Sequence, residues 1–229
     1  VELQNKITEI FSTETKKDVQ CITIATSTIP AQYLLPDILA EFSSRYPKEQ
    51  FRVMETDSAK VVEKVAGHIV DIGFTGTVLE KKYCKYIPFY KDDLVIIMPN
   101  NEKYQRIKEE ETKLNWIANE AIIMREEGSG TRKEAEKQLR RAGIDVEKLN
   151  VVASIENSEA IKKSVKSGIG ITMISRLAVQ DVIESGQVLD FPLSSKDDGR
   201  DLNLVYNKNY QLSNSAERFI RVVKEMYNI

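Results

Sequence analysis

The 229-residue chain is 41% hydrophobic and 30% charged, with 33 Lys+Arg against 35 Asp+Glu and a formal net charge of -2. That is enough apolar material for one large core or two lobes, and the near balance of charge excludes a global pull toward nucleic acid or an anionic membrane. Two cysteines, Cys21 and Cys84, are too few for a disulfide framework and lack metal-ligand spacing, which fits inert thiols in a reducing compartment, the alternative being one disulfide between neighbouring strands.

Residues 1–17, VELQNKITEIFSTETKK, lack the apolar stretch of a secretory signal. Leu3, Ile7, Ile10 and Phe11 fall on one helical stripe, which needs a surface to pack on. It docks on its own domain or is the tail of a longer helix. With no initiator Met, the chain is expected to be a processed or excised piece. No run approaches the roughly 20 apolar residues of a membrane span.

VQCITIAT (19–26) reads as a buried strand. The stretch after it, up to Pro47, reads as a helix with Leu35, Ile38, Leu39, Phe42 and Tyr46 on one face. FRVMET (51–56) is a strand. The next helix starts at Asp57 or Ser58 and stops at Gly67, and IVDIGFTG (69–76) is a third strand. This alternation predicts a parallel sheet with helices on both faces. YCKYIPFYKDDLVIIMP holds two strands around Lys91-Asp92-Asp93. The pattern then restarts: short helix KLNWIA, strand AIIMR, a helix over 131–142, strand VVASI, helix NSEAIKKSVKSG, strand GITMIS, helix RLAVQDVIESG, strand VLDFPL. DLNLVYN and an amphipathic helix with Phe219, Ile220, Val223 and Tyr227 close the chain. Two α/β lobes follow, with crossovers near Phe89–Asp93 and Asp190–Leu193, and ligands in such folds sit at the carboxyl ends of strands.

Four hydroxyl-rich turns fall at those ends. The first, Thr26–Pro30, puts Ser27 and Thr28 at a helix start, with the free N–H groups of Thr28 and Ile29 in the same turn. The second, Gly73–Thr77, offers the Thr75 hydroxyl and a close backbone approach at Gly76. In the third, Gly128-Ser129-Gly130-Thr131 opens a helix, with Arg132 behind it. The fourth, at Asn157-Ser158, reads mainly as a helix cap. Neither a P-loop nor a dinucleotide-binding glycine pattern is present. The single histidine, His68, lies at a predicted helix end and reads as a surface residue. Glu126 and Glu127 read as solvated, or as partners of Arg125 and Arg132. No catalytic residue, metal site or cofactor is expected. The turns are suited to holding a small anion rather than transforming it.

Together IATSTIPAQYLLPDILAEFSSRYP, VDIGFTG, REEGSGTR and NSEAIKKSVKSGIGITMIS resemble the effector-binding domain of LysR-type transcriptional regulators, most of all the branch handling sulfur, nitrogen or carbon-fixation signals. The likeness runs from about Asp18 onward, with all segments in order. It implies an α/β fold of two Rossmann-like lobes around a ligand cleft, periplasmic-binding-protein-like (type 2). Residues 18–91 and 192–229 would form lobe I, 92–191 lobe II, and 1–17 the tail of a linker helix. Ser27, Thr28 and Ile29 match the family's first ligand turn, Thr75 and Gly76 the turn after the third strand, and Ser129, Gly130 and Thr131 the second-lobe loop. The resemblance further implies a cytoplasmic, non-enzymatic sensor of a small anionic effector (sulfate, a carboxylate or an acetylated amino acid). It would be a homodimer, tetrameric in the full-length protein, and would reach DNA only through an N-terminal helix-turn-helix domain. The alternative on the same fold is an extracytoplasmic solute-binding protein for an oxyanion or amino acid.

Overall fold

The computed structural model describes residues 21–79, 83–193 and 199–229. The stripe at residues 3–11 and the linker-tail assignment of 1–17 lie outside them.

The first sheet is built from β1 (Cys21–Thr26), β2 (Gln50–Glu55), β3 (Ile72–Thr75), β4 (Cys84–Asp92) and β10 (Arg200–Asn207), in the order β2-β1-β3-β10-β4. β1 runs parallel to β2 and β3, while β10 is antiparallel to β3 and β4. The sheet is therefore mixed, not the parallel sheet the alternation predicts. The reason is that the return crossover brings β10 back from the opposite direction. Ile22, Ile24, Ile72, Phe74, Leu202 and Leu204 bury their side chains against Leu35, Ile38 and Phe42 and against Phe219 and Val223. Phe42, Phe74 and Phe219 are among the largest fully buried side chains, with Phe42–Phe219 centroids 5.2 Å apart.

The helix expected across 28–46 is two helices, α1 (Thr28–Tyr33) and α2 (Leu35–Arg45). Pro36 has no N–H to give to Gln32, and its ring clashes with that carbonyl, so the first helix ends at Tyr33 with Leu34 as its cap. α3 (Ser58–Ala66) starts at the Asp57 cap, whose side chain accepts from the Lys60 N–H.

The second lobe holds β5 (Leu94–Pro99), α4 (Glu102–Glu110), β6 (Ala121–Met124), α5 (Gly130–Arg141), β7 (Asn150–Ser154), α6 (Ser158–Lys166), β8 (Thr172–Ser175), α7 (Gln180–Glu184) and β9 (Val188–Pro192). Helix α8 (Asn214–Tyr227) returns to the first lobe. β5 pairs antiparallel with β8 and β9, and β6 pairs parallel with β7. A parallel bridge, Ile122 to Ile171, joins these pieces, with Ile171 N–H bonded to the Ala121 carbonyl at 2.9 Å. A Cβ on Gly170 would stand 2.4 Å from that carbonyl, so only glycine allows the junction. The joined order β7-β6-β8-β5-β9 repeats that of the first sheet, a likeness of topology without a legible sequence repeat.

Two local expectations change. The sequence reading has no helix at α4, where only Tyr104 is buried and the apolar signal is weak. The helix expected over 176–186 is a 3-10 turn, Arg176–Ala178, followed by the short α7, because Val179 leaves helical geometry at φ -128.

The lobes meet where β4 passes into β5. Arg200 binds Asp92 through Nε and Nη2 at 2.9 and 2.8 Å, and the Ser175 hydroxyl donates to the other carboxylate oxygen at 2.6 Å. The side chains are 4% and 0% exposed, so water stabilises neither charge. Arg200→Met strands the Asp92 carboxylate and is expected to cost about 3–5 kcal/mol in urea unfolding, part of which Asp92→Leu in the same chain restores.

Candidate functional site

Between the lobes, Ser27, Thr28, Ile29, Asp57, Ser58 and Gly76 face Arg125, Glu126, Ser129, Gly130 and Thr131, with Arg200 at the hinge side. Seven of the eight residues singled out in the sequence thus meet in one place. The eighth, Thr75, is fully buried and turned into its own loop. Its hydroxyl donates to the Thr77 carbonyl at 3.1 Å and accepts from the Thr77 N–H at 3.3 Å, so it does not line the space.

Local structure explains each placement. β1 ends at Thr26, and the Ser27 N–H bonds the Phe74 carbonyl at 2.9 Å, which pins the turn to β3. Ser27 takes the N-cap position of α1 without a side-chain cap bond, so its hydroxyl is not spent on its own helix. Ser129 does cap α5, accepting from the Arg132 N–H at 3.4 Å. Thr131 stands one turn-position further on, 4% exposed, and its hydroxyl has no hydrogen-bond partner among the described residues. The same holds for Ser27, 8% exposed. The Ser58 hydroxyl, in the same lining and 1% exposed, is likewise without a hydrogen bond, so Ser27 and Ser58 from one lobe and Thr131 from the other leave polar groups available to the cleft. At the fourth turn the capping reading holds: the Asn157 side chain accepts from the Ala160 N–H at 2.9 Å.

The sequence reading does not place Asp57, Ser58, Arg125 or Arg200 at the site. Arg125 follows the apolar run of β6, the one signal that it ends inside the cleft. It is ion-paired to Glu126, and its Nη2 reaches Thr28 Oγ1 across the cleft at 3.4 Å. Arg132 pairs instead with Glu136 at 2.8 Å, not with Glu126 or Glu127. His68 is exposed and stacked on Tyr210, far from this chemistry. Cys21 and Cys84 are free thiols.

The lobes are closed on each other. The space left between them is about 10 Å³, room for roughly one water molecule. A Cβ on Gly130 would lie 2.8 Å from Ser58 Oγ and 3.1 Å from the Gly76 carbonyl carbon, so glycine permits this contact. Two larger recesses flank the centre. One, of about 610 Å³, shares Thr28, Asp57, Arg125 and Glu126, and the other, of about 470 Å³, shares Gly76 and Arg200. Burial pushes the Asp57 carboxyl up, but the Lys60 backbone N–H and ammonium, with the Ala59 N–H, hold it below the usual carboxylate range.

Gly130→Ala is expected to part the lobes, raising the radius of gyration in small-angle scattering and weakening ligand binding about tenfold, a bias of about 1.4 kcal/mol. Asp57→Asn keeps a capping side chain and removes the charge. A carboxyl held low stabilises the fold above its ordinary pKa, and that contribution is lost as pH falls through the folded value. The variant is therefore expected to unfold more easily than the parent at pH 7 in urea, with the gap closing on acidification.

Residues 19–228 match the family model described as the LysR substrate binding domain. The uncharacterized HTH-type transcriptional regulator MJ0300 of Methanocaldococcus jannaschii is 30% identical over 205 residues, covering 90% of this chain and 68% of the relative. The HTH-type transcriptional activator CmpR of Synechocystis sp. is 30% identical over 210 residues, 90% of this chain and 64% of the relative. This chain thus spans about two thirds of the length of such regulators. In fold, it resembles the effector binding domain of QuiR in complex with shikimate, with a TM-score of 0.79 at 14% identity, covering 91% of this chain and 97% of that one. It also resembles the Synechocystis CcmR regulatory domain in complex with 2-PG, with a TM-score of 0.78 at 22% identity and the same coverage. The chain belongs to the LysR substrate-binding domain family.

Proposed function

We propose that this chain senses a small anion held between its lobes and passes occupancy to the DNA-binding part of a cytoplasmic transcriptional regulator. The observation that carries the reading is the set of hydroxyls without a hydrogen bond, Ser27 and Ser58 on one lobe and Thr131 on the other, that converge on one space. A ligand that bonds both lobes favours the closed arrangement over the open one, and this differential affinity is what makes it a signal. The relatives reported above are named as regulators, which favours sensing over solute delivery. Two similar structures are complexes with small ligands, shikimate and 2-PG, which supports a small occupant here.

The site holds rather than transforms. Its carboxylates, Asp57 and Glu126, are each paired to a cation, Lys60 and Arg125. Such pairing suits binding and leaves neither poised as a general acid. For the dimer, the outer strands β2 and β7 expose Val53, Val151 and Val152, at 41%, 47% and 49%. Strand edges with exposed apolar residues support pairing with a second copy.

Calorimetric titration with candidate anions tests the site. Ser27→Ala and Thr131→Ala each remove a hydrogen bond to a charged ligand and are expected to weaken binding about ten- to hundredfold. Unchanged affinity in both would exclude the interlobe site.

A further inference from the structure

We propose that Glu126 is a displaceable internal anion, which competes with the effector for Arg125. This rests on the reading that an anion binds between the lobes, and it names the group that anion would have to displace.

The guanidinium of Arg125 is 4% exposed, and its Nε and Nη2 already hold the Glu126 carboxylate at 2.7 and 2.9 Å. Arginine stays charged at all accessible pH, and its fork fits any carboxylate or oxyanion equally well. Glu126 is thus the chain's own occupant of an anion-binding fork that lines the cleft.

Arg200, the other arginine of the lining, is not open to the same exchange. Its partner Asp92 is fully buried and is also bonded by Ser175. Glu126 differs in both respects. Its side chain is 18% exposed, and it borders the recess of about 610 Å³, into which it can turn by side-chain rotation.

Space and charge both favour such an exchange. The central space of about 10 Å³ does not admit an oxyanion while the Glu126 carboxylate stands on Arg125. The lining carries two cations, Arg125 and Arg200, against two anions, Asp57 and Glu126, so an entering anion meets no net charge. Once Glu126 turns out, the centre gains one unit of positive charge. The recess that receives Glu126 holds Glu55, Asp57, Glu127 and Glu156 beside Lys60. Repulsion there drives Glu126 back when the ligand leaves, which sets a threshold on the affinity and keeps the sensor reversible.

The test is calorimetric titration of inorganic sulfate and of malonate into the parent chain and its variants. Glu126→Gln leaves an oxygen to accept from Arg125 but removes the competing charge. Glu126→Asp keeps the charge and shortens its reach, and it gives a second reading if the first variant folds poorly. Both are expected to bind at least one probe about tenfold more tightly than the parent. Glu127→Gln removes a charge at the same mouth that holds no arginine, and its gain is expected to stay below about twofold. No gain in either Glu126 variant, or an equal gain in Glu127→Gln, overturns the latch. If Ser27→Ala weakens binding while the Glu126 variants gain nothing, the latch fails and the cleft stands. If no variant binds either probe, the anion reading of the cleft fails with it.

Discussion

The pair formed by Asp92 and Arg200 is the fixed point of this molecule. Asp92 ends the strand that leaves the first sheet, and Arg200 begins the strand that returns to it. Their two bonds clamp both crossovers at the same level, and the Ser175 hydroxyl extends the clamp to the second sheet. A buried ion pair adds little net stability, because the desolvation of both charges offsets their attraction. What it adds is geometry. Any other register of β4 against β10 would leave a charge buried without a partner. Arg200 also stands against Gly76, so the clamp forms one wall of the cleft it positions.

From that wall inward, the cleft is assembled from groups that bind without net charge. Both arginines carry counter-ions from the chain itself, and the free capacity lies in hydroxyls. Gly76 and Gly130 let the two backbones approach until the central space is almost gone. Such a lining would discriminate by shape and hydrogen-bond direction more than by long-range attraction. Under the proposed reading, the same closeness would make occupancy and lobe position mutually dependent.

Much of this was legible in the sequence because it depends on local chemistry. Ser27, Ser129 and Asn157 declare helix starts through short polar side chains after strands, and Gly128-Ser129-Gly130 declares a backbone that must approach something. The alternation of strands and helices announced two α/β units along the chain. What was not legible depends on contacts distant in the chain. Nothing near Asp92 announces Arg200, which lies 108 positions away. The antiparallel placement of β10 follows from the path of the return crossover, not from its own pattern. Thr75 was misleading for a local reason, since a threonine before Gly-Thr can bond its own turn as readily as a ligand. The helix at Glu102–Glu110 escaped notice because it is held by a cap and solvated charges rather than an apolar stripe.

The strand order has a consequence for biosynthesis. All five strands of the second sheet lie between Leu94 and Pro192, so that lobe can close as soon as its own segment has emerged from the ribosome. The first sheet is different. β10 sits between β3 and β4, so until residues 200–207 arrive its earlier strands stand as two unjoined pieces with open edges. Of the two lobes, the one whose strands begin earlier in the chain is therefore completed later. Nascent chains stalled between the two crossovers would expose the edges of β3 and β4, open to wrong pairing until β10 arrives.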